Sequence, residues 1–338
     1  MNQVRERIHY IDVAKSIAIF LVIIGHINIT DQTIKTEIYS FHIPLFFFLS
    51  GFVISLKKYD SFKDICIDKF KKIIIPYFWL SLITLIVKTF QSNYEIKDII
   101  VKFCAIFLAI RDTEYYLSLW FLLSLFFSQL LLFVLYKILK KNLYLLCALF
   151  ICFIIGYYIS LNYYVSKNYI LFSLDTVPLA CFYLGLGYLF KKNYSCLKKR
   201  IQLKYILISL FFNILFCFLN YNLFDRRTDL YYQQLNNPFL YLISSLFGIW
   251  SILIISKRLE NISLLRFIGK NSIFFYAFHK LIFPYADFCI LWLSQFSNIF
   301  LESYIQISIY LIIIIIILST VSIFINKYLP FIICKKTK

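Results

Sequence analysis

The sequence predicts an all-α fold, a polytopic membrane helix bundle of about ten transmembrane helices with both termini cytoplasmic. Three observations carry that expectation. Of the 338 residues, 61% are hydrophobic and 20% aromatic, and the mean hydropathy is +0.78, well outside the roughly 45–50% apolar content of soluble domains. The apolar residues gather into ten runs, each approaching the about 20 residues that a helix needs to cross ~30 Å of hydrocarbon. The basic residues then partition by side. With connections assigned alternately, 25 Lys and Arg fall on the side of the termini and seven on the other, and Lys15, Lys88 and Lys280 lie within or at the ends of runs. Lys and Arg accumulate in cytoplasmic loops, which fixes the orientation.

The first run, Val13 to Ile29, follows Arg5, Glu6 and Arg7; no small-residue cleavage site follows it, so it is expected to stay in the protein as a helix. The second, Ile38 to Leu56, is closed by Lys57 and Lys58, and the third, Ile73 to Phe90, is preceded by Lys69, Lys71 and Lys72. A shorter amphipathic segment, Ile96 to Ile110, is expected to lie on the surface. The fourth run, Tyr116 to Tyr136, ends at Lys137, and the fifth, Leu143 to Leu161, begins after Lys140 and Lys141. The sixth, Tyr169 to Phe190, ends at Lys191 and Lys192, and the seventh, Tyr205 to Tyr221, follows a second basic cluster up to Lys204. The eighth, Phe239 to Ser256, stops at Lys257. The ninth, Asn271 to Leu293, contains Pro284, which is expected to interrupt it where freed backbone groups line a cavity. The tenth, Tyr304 to Ile325, ends before Lys327. No boundary or internal repeat divides residues 1–338, which are read as one domain.

Composition also excludes. A net charge of +18 suggests nucleic acid until its side rule is seen, and that partner is set aside. Nine Cys occur singly with no C-x-x-C pair, so they read as small buried hydrophobes. No closely spaced His or Cys set has metal-ligand character, and no metal is expected.

Titratable side chains are costly at membrane depth, which makes Lys15, His26 and His42 functional candidates. Lys15 and His26 return to nearly the same helical face, ~16 Å apart along the axis, and Asp12 joins that stripe. His26 and His42 are expected at similar depth near the outer surface. The competing reading has Lys15 snorkelling to the headgroups with Asp12 as a boundary salt bridge, and each His as a satisfied interfacial residue. His279 sits ~12 Å into the ninth helix, with Lys280 next to it, and is expected at a depth between Lys15 and the two outer His. Together they suggest a polar path from the cytoplasmic to the outer face. The outer connection from Asn220 to Pro238 gathers Tyr, Gln, Asn, Asp and Arg, types suited to stacking on and hydrogen-bonding a sugar; the alternative is a solvated loop with an aromatic belt. Asp175 and Asp287 read as structural.

The run Tyr10-Ile11-Asp12-Val13-Ala14-Lys15, then Gly25-His26, then Ser40-Phe41-His42-Ile43-Pro44-Leu45-Phe46-Phe47-Phe48-Leu49-Ser50-Gly51 closely resembles acyltransferase family 3, and most nearly its fucose O-acetylase-like branch. Leu119-Trp120-Phe121-Leu122, the Gly-bearing Phe182 to Tyr188, and Ile268 to His279 resemble further family segments. The resemblance implies an integral-membrane O-acyltransferase of surface glycans, with His26 as its catalytic His and a basic residue separated from it by ten intervening residues. Many relatives carry Arg there, where this chain has Lys15, a compact cation that still contacts an anion.

The expected reaction moves an acyl group, in the first instance acetyl from acetyl-CoA, onto a hydroxyl of a cell-envelope polysaccharide or lipid-linked glycan, in the cell inner (cytoplasmic) membrane. His26 is the expected base, because imidazole titrates near neutrality. His42 orients the acceptor or stabilises the oxyanion, and Lys15, held by Asp12, attracts the donor, with His279 and Asn271 as further donor contacts. Trp120, Arg226, Arg227, Tyr231 and Asn237 are the expected acceptor contacts. Direct attack and a covalent acyl-His intermediate both remain open. The alternative function is a lipid-linked glycan transporter or exporter, which has the same polar path and no need of His26 as a proton acceptor.

Overall fold

The computed structural model describes residues 7–92, 94–109, 119–166, 170–297 and 302–334. Arg5, Glu6 and the expected beginnings of the fourth and sixth spans at Tyr116 and Tyr169 lie outside them. Within the described residues the chain is a helical bundle, with ten helices long and apolar enough to cross a membrane. In order these are His9–His26, Gln32–Val53, Phe62–Ser92, Trp120–Ile138, Asn142–Asn162, Leu171–Lys192, Leu203–Phe224, Pro238–Arg258, Ser272–Gln295 and Ser303–Tyr328. All ten expected spans are found. The amphipathic helix is Ile96–Leu108, packed on the third span where the Tyr77 hydroxyl donates to the Ile106 carbonyl at 2.6 Å, with Ile96, Ile100 and Phe107 left exposed.

Two elements differ from expectation for identifiable reasons. The third span begins well before Ile73, at Phe62, because Ser61 and Asp64 form a capping box that starts the helix in a polar stretch. It then widens into a π-helical turn at Phe70–Ile74, directly ahead of Pro76, whose missing N–H leaves the Lys72 carbonyl without its usual intrahelical donor. The ninth span is not interrupted by Pro284; it runs through as one helix. The Leu281 carbonyl, in the turn before that proline, accepts from Gln91 Nε2 of the third span at 3.0 Å.

The second and sixth spans form the centre, 67% and 72% buried over their apolar windows, whereas the seventh and tenth are 22% buried and form the rim. The central crossing depends on two glycines. A Cβ on Gly51 would sit 1.8 Å from the Leu184 carbonyl oxygen, and one on Gly187 1.9 Å from that of Phe48. Only hydrogen fits at either point, as expected where membrane helices touch backbone to backbone. The first span is held against the second, eighth and ninth spans and against the short helix Ser263–Lys270. The start of the first span and the end of the tenth thus lie at one end of the bundle, the near end, where Gly269 meets Asp12 and Asn326 bonds Asn271 at 2.9 Å.

Candidate active site

The first span ends at His26, the second carries His42 a few turns in, and the ninth carries His279. All three imidazoles line a single cavity of about 340 Å³ at the far end of the bundle. His26 and His279 touch ring to ring, with centroids 5.2 Å apart and planes at 61°. His279 thus stands at the level of His26 and not between it and Lys15. The short helix before the ninth span packs onto the first span so tightly that a Cβ on Gly269 would sit 1.7 Å from the Asp12 carbonyl oxygen, and the ninth span then runs against the first.

Each ring is oriented in the same way. Nδ1 of His26 lies 2.8 Å from the Val22 carbonyl, Nδ1 of His42 2.8 Å from that of Ile38, and Nδ1 of His279 2.9 Å from that of Tyr276. A carbonyl can only accept, so each Nδ1 carries the proton and a neutral ring presents Nε2 as an acceptor. The His279 Nε2 is buried and has no hydrogen-bond partner. His42 is likewise 3% exposed, and its ring packs on Tyr39 with centroids 4.8 Å apart.

The loop between the seventh and eighth spans folds over this cavity. Asp229 and Gln234 exchange backbone hydrogen bonds of 2.8 and 2.9 Å, and Gln233 donates from Nε2 to Asp175 at 3.3 Å while its carbonyl accepts from Ser160. Trp120, Arg227 and Tyr231, three of the five residues expected to meet an acceptor, line the cavity. The Trp120 and Tyr231 rings are 5.7 Å apart, and the Arg227 guanidinium lies over Tyr39 at 4.2 Å. The other two are elsewhere. Arg226 exchanges hydrogen bonds with Asn236, at 2.8 and 2.7 Å, and Asn237 caps the eighth span through the amides of Phe239 and Leu240. A sequence that shows only a polar loop cannot tell its cavity-facing residues from those that shape the loop.

Lys15 lines a second, narrower cavity of about 180 Å³, with Ser50, Lys72, Phe121, Ser272 and Tyr276. Ile43 and Tyr276 belong to both cavities. A third cavity at the near end shares Ser50, Lys72, Ile73 and Leu125 with the second and adds Lys58, Lys69 and Gln129. The three form a file through shared residues, with Lys15 in the middle cavity. Asp12 makes no ion pair with Lys15, although its charge acts on that ammonium. Its two carboxylate oxygens accept from Arg7 in a fork, at 2.6 and 2.9 Å, and those bonds push the Arg7 guanidinium further up. Asn271 also stands apart from both cavities: it accepts from Asn326 and donates to the Phe267 carbonyl, and its neighbour Ser272 takes the place in the wall.

Residues missed by sequence reasoning are Tyr276, Lys72, Lys88 and Asp229. Lys72 was visible only as one cation among many, and its signal was the proline four residues on. Asp175 and Asp287 are structural, the latter accepting from the Tyr310 hydroxyl. Among the described residues no group of His, Cys, Asp or Glu is arranged to hold a metal. Residues 8–326 match a family model described as an acyltransferase domain. No curated protein and no solved structure matches the chain.

Proposed function

Because the chain belongs to acyltransferase family 3 over residues 8–326, we propose that it is the O-acetyltransferase its first two spans resemble, nearest the fucose O-acetylase-like branch. It takes acetyl from cytoplasmic acetyl-CoA and places it on a hydroxyl of a cell-envelope polysaccharide or lipid-linked glycan, in the inner membrane. The observation that carries this reading is the file of cavities joining cationic Lys15 and Lys72 to the cluster of three imidazoles.

The side rule for Lys and Arg makes the near end cytoplasmic. Lys58, Lys69 and Lys72 then attract the donor's phosphates, and Lys15 draws the anion inward. The acyl thioester reaches Tyr276 at the junction of the two upper cavities. From the other side the acceptor packs against the Trp120 and Tyr231 pair, its hydroxyl facing His26.

His26 Nε2 accepts the hydroxyl proton as the oxygen attacks the thioester carbon. The Val22 carbonyl, accepting from Nδ1–H, stabilises the imidazolium that forms, and the proton taken up by Nε2 then passes to the departing sulfur. With Nδ1 likewise engaged, neutral His42 offers an acceptor and no donor. It therefore orients the acceptor hydroxyls, and the developing oxyanion falls to the hydroxyl of Tyr276, a residue of both upper cavities.

The test uses a strain lacking this gene, restored with wild type or with His26→Ala. The reading expects the envelope glycan to reach the surface in both and to carry O-acetyl groups only with wild type, by mass spectrometry. Loss of the surface glycan itself in the variant would instead favour an exporter.

A further inference from the structure

The far end of the bundle is the cation-poor end of this chain, yet cations from three separate elements converge on its cavity: Lys88 from the third span, Arg227 from the folded loop and Lys280 from the ninth. Placing them there runs against the side rule and against the cost of charge at membrane depth. The single carboxylate on the same wall is Asp229. It already accepts from the Tyr231 amide at 2.9 Å and lies 3.7 Å from Arg227. Among the described residues neither the Lys88 nor the Lys280 ammonium has a hydrogen-bond or ion-pair partner, and the charges acting on Lys280 are those of Lys88 and Asp229. Three cations thus face one engaged carboxylate in an enclosed site.

Their placement is tied to the chemistry. Lys280 follows His279, whose ring touches His26, and Arg227 lies on Tyr39, whose ring packs on His42. An anion held by these cations puts the rest of its molecule against the imidazoles. The unpartnered His279 Nε2 then accepts from a neighbouring hydroxyl.

We propose that the acceptor is an anionic glycan, whose carboxylate or phosphate is held by Lys88, Arg227 and Lys280 while its hydroxyl faces His26. This rests on the acyltransferase reading of the same cavity and adds the charge of its substrate. Donor phosphates enter from the opposite end, so this cluster answers to the acceptor.

The experiment measures calorimetric binding to the full-length protein in nanodiscs of neutral phosphatidylcholine. The probes are oligosaccharides of equal length: a galacturonate oligomer, its neutral galactose counterpart and a glycerol-phosphate-bearing glycan. The expected result is that at least one anionic probe binds about tenfold more tightly than the neutral one, or about 1.4 kcal/mol. That preference should vanish in Lys88→Gln and Lys280→Gln, survive in Lys88→Arg, and shrink as salt is raised. The identity of the preferred probe distinguishes carboxylate from phosphate. Equal binding of charged and neutral probes, or binding of none, overturns the proposal, as does a preference that persists in both Gln variants. Acetyl transfer by wild type against His26→Ala is read separately, so a failure of the acyltransferase reading shows itself without any change in the charge preference.

Discussion

The two ends of the cavity file are built on opposite principles. At the far end each imidazole is oriented by a carbonyl of its own helix within about 3 Å, and the loop above is stitched by Asp229, Gln233 and Asn236. At the near end the cations are Lys15, Lys58, Lys69 and Lys72, long side chains of which Lys58 and Lys72 share the Asp68 carboxylate at 3.3 and 2.7 Å. Short, backbone-anchored groups suit proton transfer, where small displacements lose rate. Long cations suit capture of a charged, swinging donor, where the attraction is tolerant of geometry. One end is therefore expected to govern kcat and the other KM for the donor.

The largest effect should come from breaking what joins the ends. Gly51→Leu drives a Cβ onto the Leu184 carbonyl, separates the second and sixth spans and should leave little folded protein, read as loss of a monodisperse detergent-solubilised peak. Next comes His42→Ala, which should lower kcat/KM for the acceptor by about 10- to 100-fold with KM for acetyl-CoA little changed. Lys15→Gln should do the reverse, raising KM for acetyl-CoA about tenfold with a smaller change in kcat. An equal fall of kcat in both variants would erase the distinction between the ends. Arg7→Ala is the smallest. Arg7 is largely exposed beside a buried Asp12, so its loss should lower the thermal midpoint by an amount corresponding to less than about 1 kcal/mol.

What could be read from the sequence follows the same division. Hydrophobic length and the side rule depend on every residue of a span, and they located all ten helices. His26 and His42 stood out because a bilayer penalises them wherever they point. The depth of His279 was not legible, since it depends on how the ninth span packs against the first, a contact between distant segments. Nor was the partner of Asp12: its spacing to Lys15 fits one helical face, but Arg7 reaches it from outside the helix. The loop showed its composition and hid its fold, so Arg226 and Asn237 looked like ligands and proved to be its framework.

The central claim is that His26 Nε2 takes the acceptor's proton. The most direct measurement is the initial rate of acetyl transfer from labelled acetyl-CoA by proteoliposomes holding equal amounts of wild type or His26→Ala, with acceptor glycan supplied. A fall of about 10²- to 10⁴-fold with acetyl-CoA binding retained is the predicted result. Transfer by the variant at the wild-type rate would contradict the account.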